Sequence, residues 1–215
     1  MRTTETFLFD LDGTIVDHFK AIHRCYAYTL PRMGLPEPTP QQVRDAVGGG
    51  LENALLKFVP RERLGEALSI YREYWNRTML DDVEAMPGAL GLLRALHARG
   101  TVLGVLTNKV GPSSRLICEK LGFSPFLKAI IGAGDTPWLK PDRLLSAHAL
   151  ELLGGSPDSA LLVGDSPFDV DAAHNGGFPC WVVTTGTHSG EELLAAGADE
   201  VFGNLDAIAS RLGVG

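Results

Sequence analysis

The chain has 215 residues, 45% hydrophobic and 21% charged, which is enough apolar material for a core, unlike a disordered chain, and enough length for one domain with a sizeable insertion. Nineteen basic residues stand against 26 acidic ones, a net charge of −7, so the chain is not built to neutralise nucleic acid or an anionic membrane, and an anionic ligand needs local help from a metal or a few lysines. Cys25, Cys118 and Cys180 are far apart and outside any C-x-x-C spacing, no apolar run approaches a membrane span, and the first ten residues lack a signal-peptide pattern, so the expectation is a reduced, cytoplasmic protein without disulfide, zinc site or membrane segment.

Residues 6–10 (TFLFD) form the first short apolar strand, ending in acid and turn residues. Over 17–84 the pattern changes to helical spacing (Phe19, Ile22, Tyr26, then Leu64, Leu68, Tyr71, Trp75), and no strand-like run appears. Three prolines over 34–40 and the run Gly48-Gly49-Gly50 divide this stretch into about four short helices. Strands follow at 102–107, 127–132, 160–164, 180–184 and 200–202, alternating with helices at 89–98, 113–121, 142–153, 168–175, 191–196 and 205–212. Strand and helix in alternation predict an α/β, Rossmann-like core with a parallel sheet, formed by 1–16 and 85–215, with an all-helical domain inserted at 17–84.

Ligands of an open parallel sheet sit beyond the carboxyl ends of its strands. Those ends carry Asp10-Leu11-Asp12-Gly13-Thr14, then Thr107-Asn108-Lys109, then Lys140-Pro141, then Gly164-Asp165-Ser166-Pro167-Phe168-Asp169. In an extended segment Asp10 and Asp12 point to the same side, so one can attack while the other moves a proton. Asp10, Asp12, Asp165 and Asp169 together would repel one another without a cation. Hard oxygen ligands of this kind select Mg²⁺, shared with a phosphate, while Lys140 and Thr107 supply charge and a hydrogen bond to a transferring phosphoryl group.

These motifs in this order resemble those of the haloacid dehalogenase superfamily, and the helical insertion matches the position of that family's cap. V-L-T-N-K at 105–109 and G-D-S-x-x-D-V ending at Val170 are most similar to its phosphoglycolate phosphatase branch. The resemblance implies that Asp10 is the nucleophile, forming an aspartyl-phosphate, and that Asp12 is the acid and then the base. It implies that Thr107, Asn108 and Lys140 hold the phosphoryl group. Mg²⁺ would take Asp10, the backbone carbonyl of Asp12 and Asp165, with Asp169 acting through water or as an orienting residue. The implied substrate is a small phosphate monoester such as 2-phosphoglycolate, hydrolysed by a monomer or homodimer.

Arg44, and then Asn53, are the cap residues expected to meet a carboxylate on the leaving group, and the glycine run is either a plain break or a loop close to substrate. Trp138 could border the site, and none of the six histidines is assigned a catalytic role. His18 after Asp17, and Arg143 after Lys140-Pro141-Asp142, depart from the family's usual serine and proline. A pyrophosphatase, a nucleotidase or a phosphosugar mutase shares the chemistry, and Asp12 argues against carbon–halogen cleavage. A receiver-like phosphate-accepting switch would be shorter, and its acceptor would follow a later strand.

Overall fold

The structure, a computed structural model, describes residues 4–214. In chain order its main elements are β1 (Thr6–Phe9), β2 (Val16–Asp17), α1 (Phe19–Arg32), α2 (Pro40–Arg44), α3 (Leu51–Leu55), α4 (Leu64–Thr78), β3 (Glu84–Ala85) and α5 (Ala89–Ala98). There follow β4 (Val102–Val110), α6 (Gly111–Lys120), β5 (Ala129–Ala133), α7 (Arg143–Leu153), β6 (Ala160–Gly164), α8 (Pro167–Gly176), β7 (Cys180–Val183), α9 (Gly190–Ala195), β8 (Glu200–Phe202) and α10 (Leu205–Leu212).

Six strands form one sheet in the order β5-β4-β1-β6-β7-β8, every pair parallel. The first strand is central, and all four of its residues are buried, as a strand covered on both faces must be. Phe7 and Phe9 pack into one cluster with Leu92, Leu93 and Ile208, while Leu8, pointing the other way, packs with Leu145, Leu150 and Val170. The period of two in β1 thus assigns α5 and α10 to one face and α7 and α8 to the other. Because chain order reverses at β1, its carboxyl end opens a crevice between β4 and β6.

The helices between β2 and β3 carry their own aromatic packing, with Tyr28 stacked on Tyr74 at 3.8 Å and Tyr26 edge-on to Tyr71 at 5.3 Å. This joins the sheet's larger cluster without a break. Two of the four helices, α1 and α4, are longer than the short helices expected, at 14 and 15 residues, and Pro31 falls in the last turn of α1 without interrupting it. The insertion is also not wholly helical at its root. Val16 pairs with Ala85 and Asp17 with Glu84, antiparallel, forming a ribbon of two-residue strands too short to leave a periodic signal. Among the described residues no helix is long and apolar enough to cross a membrane, and all three cysteines are free and buried.

Candidate active site

The crevice collects the predicted residues by simple connectivity. Asp10 directly follows β1 and its N–H donates to Val163 of β6 (2.9 Å). Asp165 directly follows β6. Thr107, Asn108 and Lys109 lie within β4, which runs to Val110 with a shift of register against β5 between Leu106 and Val110. A β-bulge of this kind re-aims side chains near a site. The sequence places the end of the strand at Thr107; the strand instead runs on to Val110, and Thr107, Asn108 and Lys109, in the stretch where the register shifts, all line the crevice.

Lys140 Nζ lies 2.9 Å from Asp10 Oδ1 and 2.6 Å from Asp169 Oδ1. The other oxygen of Asp169 accepts from Ser166 Oγ (2.6 Å), Ser166 N (3.0 Å) and Asp165 N (3.2 Å). Asp169 is fully buried and both its oxygens are engaged, so it positions Lys140 and the loop after β6. This loop begins α8 with Pro167 and a Ser166–Asp169 capping box, an arrangement that satisfies the free N–H groups of the first turn. Asp165 accepts from Thr14 Oγ1 (3.1 Å) and from Thr187 N (3.4 Å). Its carboxylate fills the space beside Gly13 (φ 86°) and Gly186, where a Cβ at either position would collide with it.

Oxygens of Asp10, Asp165 and Asp169 lie within 4.8 Å of one another. Burial, together with the Asp169 charge and against the pull of Lys140, raises Asp10 from 3.8 to about 6. Burial and the charges of Asp10 and Asp169 also push Asp165 well above its ordinary value. Burial works against the Lys140 charge, but Asp10 and Asp169 outweigh it and hold the ammonium above its usual range. One lysine therefore faces three carboxylates, and Asp10 Oδ1 is buried without an aligned hydrogen-bond donor. An orphaned buried oxygen in a cluster short of positive charge fits a hard divalent cation.

Asp12 lies apart from this cluster. Both its oxygens accept from Lys109 Nζ, at 2.7 and 3.0 Å, and His18 Nδ1 stands 3.7 Å from Oδ1. Burial alone would raise Asp12, but the Lys109 ammonium, with His18, holds it well below the usual carboxylate range. The two aspartates thus differ in state, one raised and cation-seeking, the other held ionised. Neither Lys109 nor His18 was assigned a role from sequence. Lys109 belongs to the quoted T-N-K, but a lysine after a strand end is most often solvated; His18 is buried, with Nε2 hydrogen-bonded to the Met79 carbonyl at 2.6 Å, a contact that local sequence does not signal.

A cavity of about 270 Å³ opens between the crevice and the inserted helices, lined on the sheet side by Asp10, Asp12, Thr107, Asn108, Lys109 and Asp165. Lys140 and Asp169 stand behind this wall. Asn108 is committed in all directions: Nδ2 donates to the carbonyls of Gly48 (3.0 Å) and Lys140 (3.1 Å), and Oδ1 accepts from Lys140 N (2.8 Å). Its side chain therefore braces the glycine run against the Lys140 loop, and any phosphate contact falls to its backbone. The glycine run is accordingly a loop at the site rather than a plain break, and Gly48 and Gly50 line the cavity.

Arg44 corrects an expectation. Its guanidinium lies over the Phe19 ring, 4.4 Å from the centroid, and it does not line the cavity, because the short α2 turns it back onto α1. Asn53 likewise bonds to the Gly49 carbonyl (2.8 Å). Trp138 packs near His148, 6.3 Å between rings, and does not border the cavity.

Three comparisons agree with this geometry. The family model for haloacid dehalogenase-like hydrolases matches residues 7–183. A phosphoglycolate phosphatase of Rhodospirillum rubrum is 32% identical over 217 residues, covering 96% of this chain and 90% of its own, and a 5'-nucleotidase of Pseudomonas aeruginosa is 32% identical, covering 87% and 86%. Among solved structures, a haloacid dehalogenase-like family hydrolase from Streptococcus pneumoniae superposes with a TM-score of 0.87 at 26% identity, covering 96% and 98%.

Proposed function

The chain belongs to the haloacid dehalogenase-like hydrolases, and from that premise we propose that it hydrolyses a small phosphate monoester, with Mg²⁺ and through an aspartyl-phosphate on Asp10. The observation that carries this reading is geometric: Asp10, Asp12, Thr107 and Asp165 line one wall of the cavity, oxygens of Asp10, Asp165 and Asp169 lie within 4.8 Å of one another, and Lys140 Nζ is 2.9 Å from Asp10.

In the first half-reaction an oxygen of Asp10 attacks phosphorus, the bond from phosphorus to the ester oxygen breaks, and Asp12 passes a proton to the departing alkoxide. A phosphate dianion entering the cavity competes for Lys109 and raises the proton affinity of Asp12, which loads the acid. In the second half a water attacks the phosphorus of the acyl phosphate. Its proton goes to Asp12, and the bond between phosphorus and Asp10 breaks, returning the carboxylate and free phosphate. Asp10, the Asp12 backbone carbonyl and Asp165 would hold Mg²⁺, which supplies charge neutralisation for the nucleophile and the phosphoryl oxygens. Thr107 contacts the phosphoryl group, Lys140 balances Asp10 from behind, and Asp169 fixes Lys140. Residues 17–84 act as a cap that encloses the leaving group and excludes water.

The test is release of phosphate from a panel of monoesters under titration with Mg²⁺. Activity should require Mg²⁺, vanish with chelator and fall when Ca²⁺, whose coordination is larger and looser, replaces it. Full activity in chelator would overturn the metal assignment.

A further inference from the structure

We infer that, within the monoester class, the cavity selects a leaving group with an uncharged, apolar body of aryl or branched-alkyl size, in preference to the short carboxylate of glycolate. The inference rests on the phosphatase reading and concerns the half of the cavity formed by the inserted segment.

That half is built from Ile22, Val47, Leu51, Ala54, Tyr71 and Trp75. Trp75 Nε1 donates to Ser113 Oγ at 3.1 Å, and the Lys109 ammonium, 4.6 Å above the Trp75 ring, gives its hydrogen bonds to Asp12; Tyr26, Tyr71 and Asn76, which also line the cavity, bring polar groups without charge. Arg72 also lines the cavity, but its side chain is 54% exposed and lies 3.7 Å from Glu52, so it stands at the mouth, in water. Arg44, the cation expected from sequence, is stacked on Phe19.

A glycolate carboxylate seated in this half would lose its hydration against apolar and aromatic side chains, and the buried cation at its edge, Lys109, is already shared between Asp12 and the entering phosphate, so the transfer is costly. An apolar body gains there, by leaving water and by contact with the two rings. The size agrees: about 270 Å³ is just below the range of roughly 300–1,000 Å³ typical of pockets for drug-sized ligands. A phosphoryl group with only two further carbons would leave much of it unfilled.

The experiment compares kcat/KM for benzyl phosphate, glycerol 3-phosphate and 2-phosphoglycolate on the intact protein with saturating Mg²⁺. All three leave as alkoxides of ordinary alcohols, so the comparison reads the pocket rather than leaving-group reactivity. Benzyl phosphate should exceed both others by about 10-fold or more, the discrimination that a few apolar contacts supply. Leu51→Lys, which brings an ammonium into the apolar half, should lower the ratio of benzyl phosphate to 2-phosphoglycolate by about 10-fold; as a ratio on one preparation, it is indifferent to any loss of folded protein. A wild-type preference for 2-phosphoglycolate, or a ratio unmoved by Leu51→Lys, would overturn the inference while leaving the phosphatase reading intact. Failure to hydrolyse any monoester in the presence of Mg²⁺ would overturn both.

Discussion

Removal of the Lys109 charge by Lys109→Met tests whether Asp12 is held ionised by one partner. The side chains of Lys109 and Asp12 are 9% and 13% exposed and share two contacts of 2.7 and 3.0 Å. At such separations the Coulomb attraction is about 6 kcal/mol for an effective dielectric near 20. Desolvating both groups takes back much of this, but deleting one partner strands the other, at a cost of about 3–5 kcal/mol. For a chain of this length that corresponds to a fall in Tm of about 6–20 °C. Asp12→Asn should destabilise for the same reason, and the double variant, which strands no charge, should recover most of the loss. A double-mutant cycle by urea unfolding should therefore give a coupling of about 3 kcal/mol. In the active protein, Lys109→Met should also move the alkaline limb of the kcat/KM profile upward, because Asp12, the acid of the first half-reaction, then keeps its proton to higher pH. A coupling below about 0.5 kcal/mol, the value of an exposed pair, would refute the reasoning.

Asp165→Asn should fold, lower Mg²⁺ affinity by at least about 100-fold and abolish turnover, measured by thermal shift with metal and by phosphate release, since it removes one of three crowded carboxylates. Without metal, Asp10 is raised from 3.8 to about 6, so the folded state binds more protons than the unfolded one between those values. Stability from this group should rise as pH falls from about 7 to about 4, by up to about 3 kcal/mol, and Mg²⁺ should flatten the dependence. Asp12, with its lowered value, works oppositely: its contribution is present above its unfolded value and is lost as pH falls further. Melting curves across this range, with and without Mg²⁺, separate the two. Arg44→Ala should leave kcat/KM for 2-phosphoglycolate within about 2-fold, costing only the ring contact, about 0.5–1 kcal/mol of stability.

The core was legible because its strands are short apolar runs that end in chemistry. In TFLF every residue is buried, and the acid motif that follows can only lie at a carboxyl end. The order of Asp10, Thr107 and Asp165 along the chain, combined with the parallel sheet, was enough to bring them together. What escaped depends on contacts between elements distant in sequence. His18 reads as a helix-edge histidine until the Met79 carbonyl and Asp12 are seen beside it, and the ribbon of Val16–Asp17 with Glu84–Ala85 is too short for any periodicity. Arg44 was misplaced for a related reason. Charge complementarity named a residue type, while the direction of that side chain is set by how α2 packs on α1, through Phe19.

The central claim, that Asp10 carries the phosphoryl group and Asp12 moves the proton, is tested most directly by trapping. The Asp12→Asn variant, which keeps the nucleophile but cannot activate water, is mixed with Mg²⁺ and an activated donor such as acetyl phosphate, quenched, and reduced with borohydride, which converts an acyl phosphate to an alcohol. Peptide mass spectrometry should then find homoserine at position 10 and aspartate at Asp165 and Asp169. Homoserine at another position, or none in a protein that still turns over at the wild-type rate, would contradict the account.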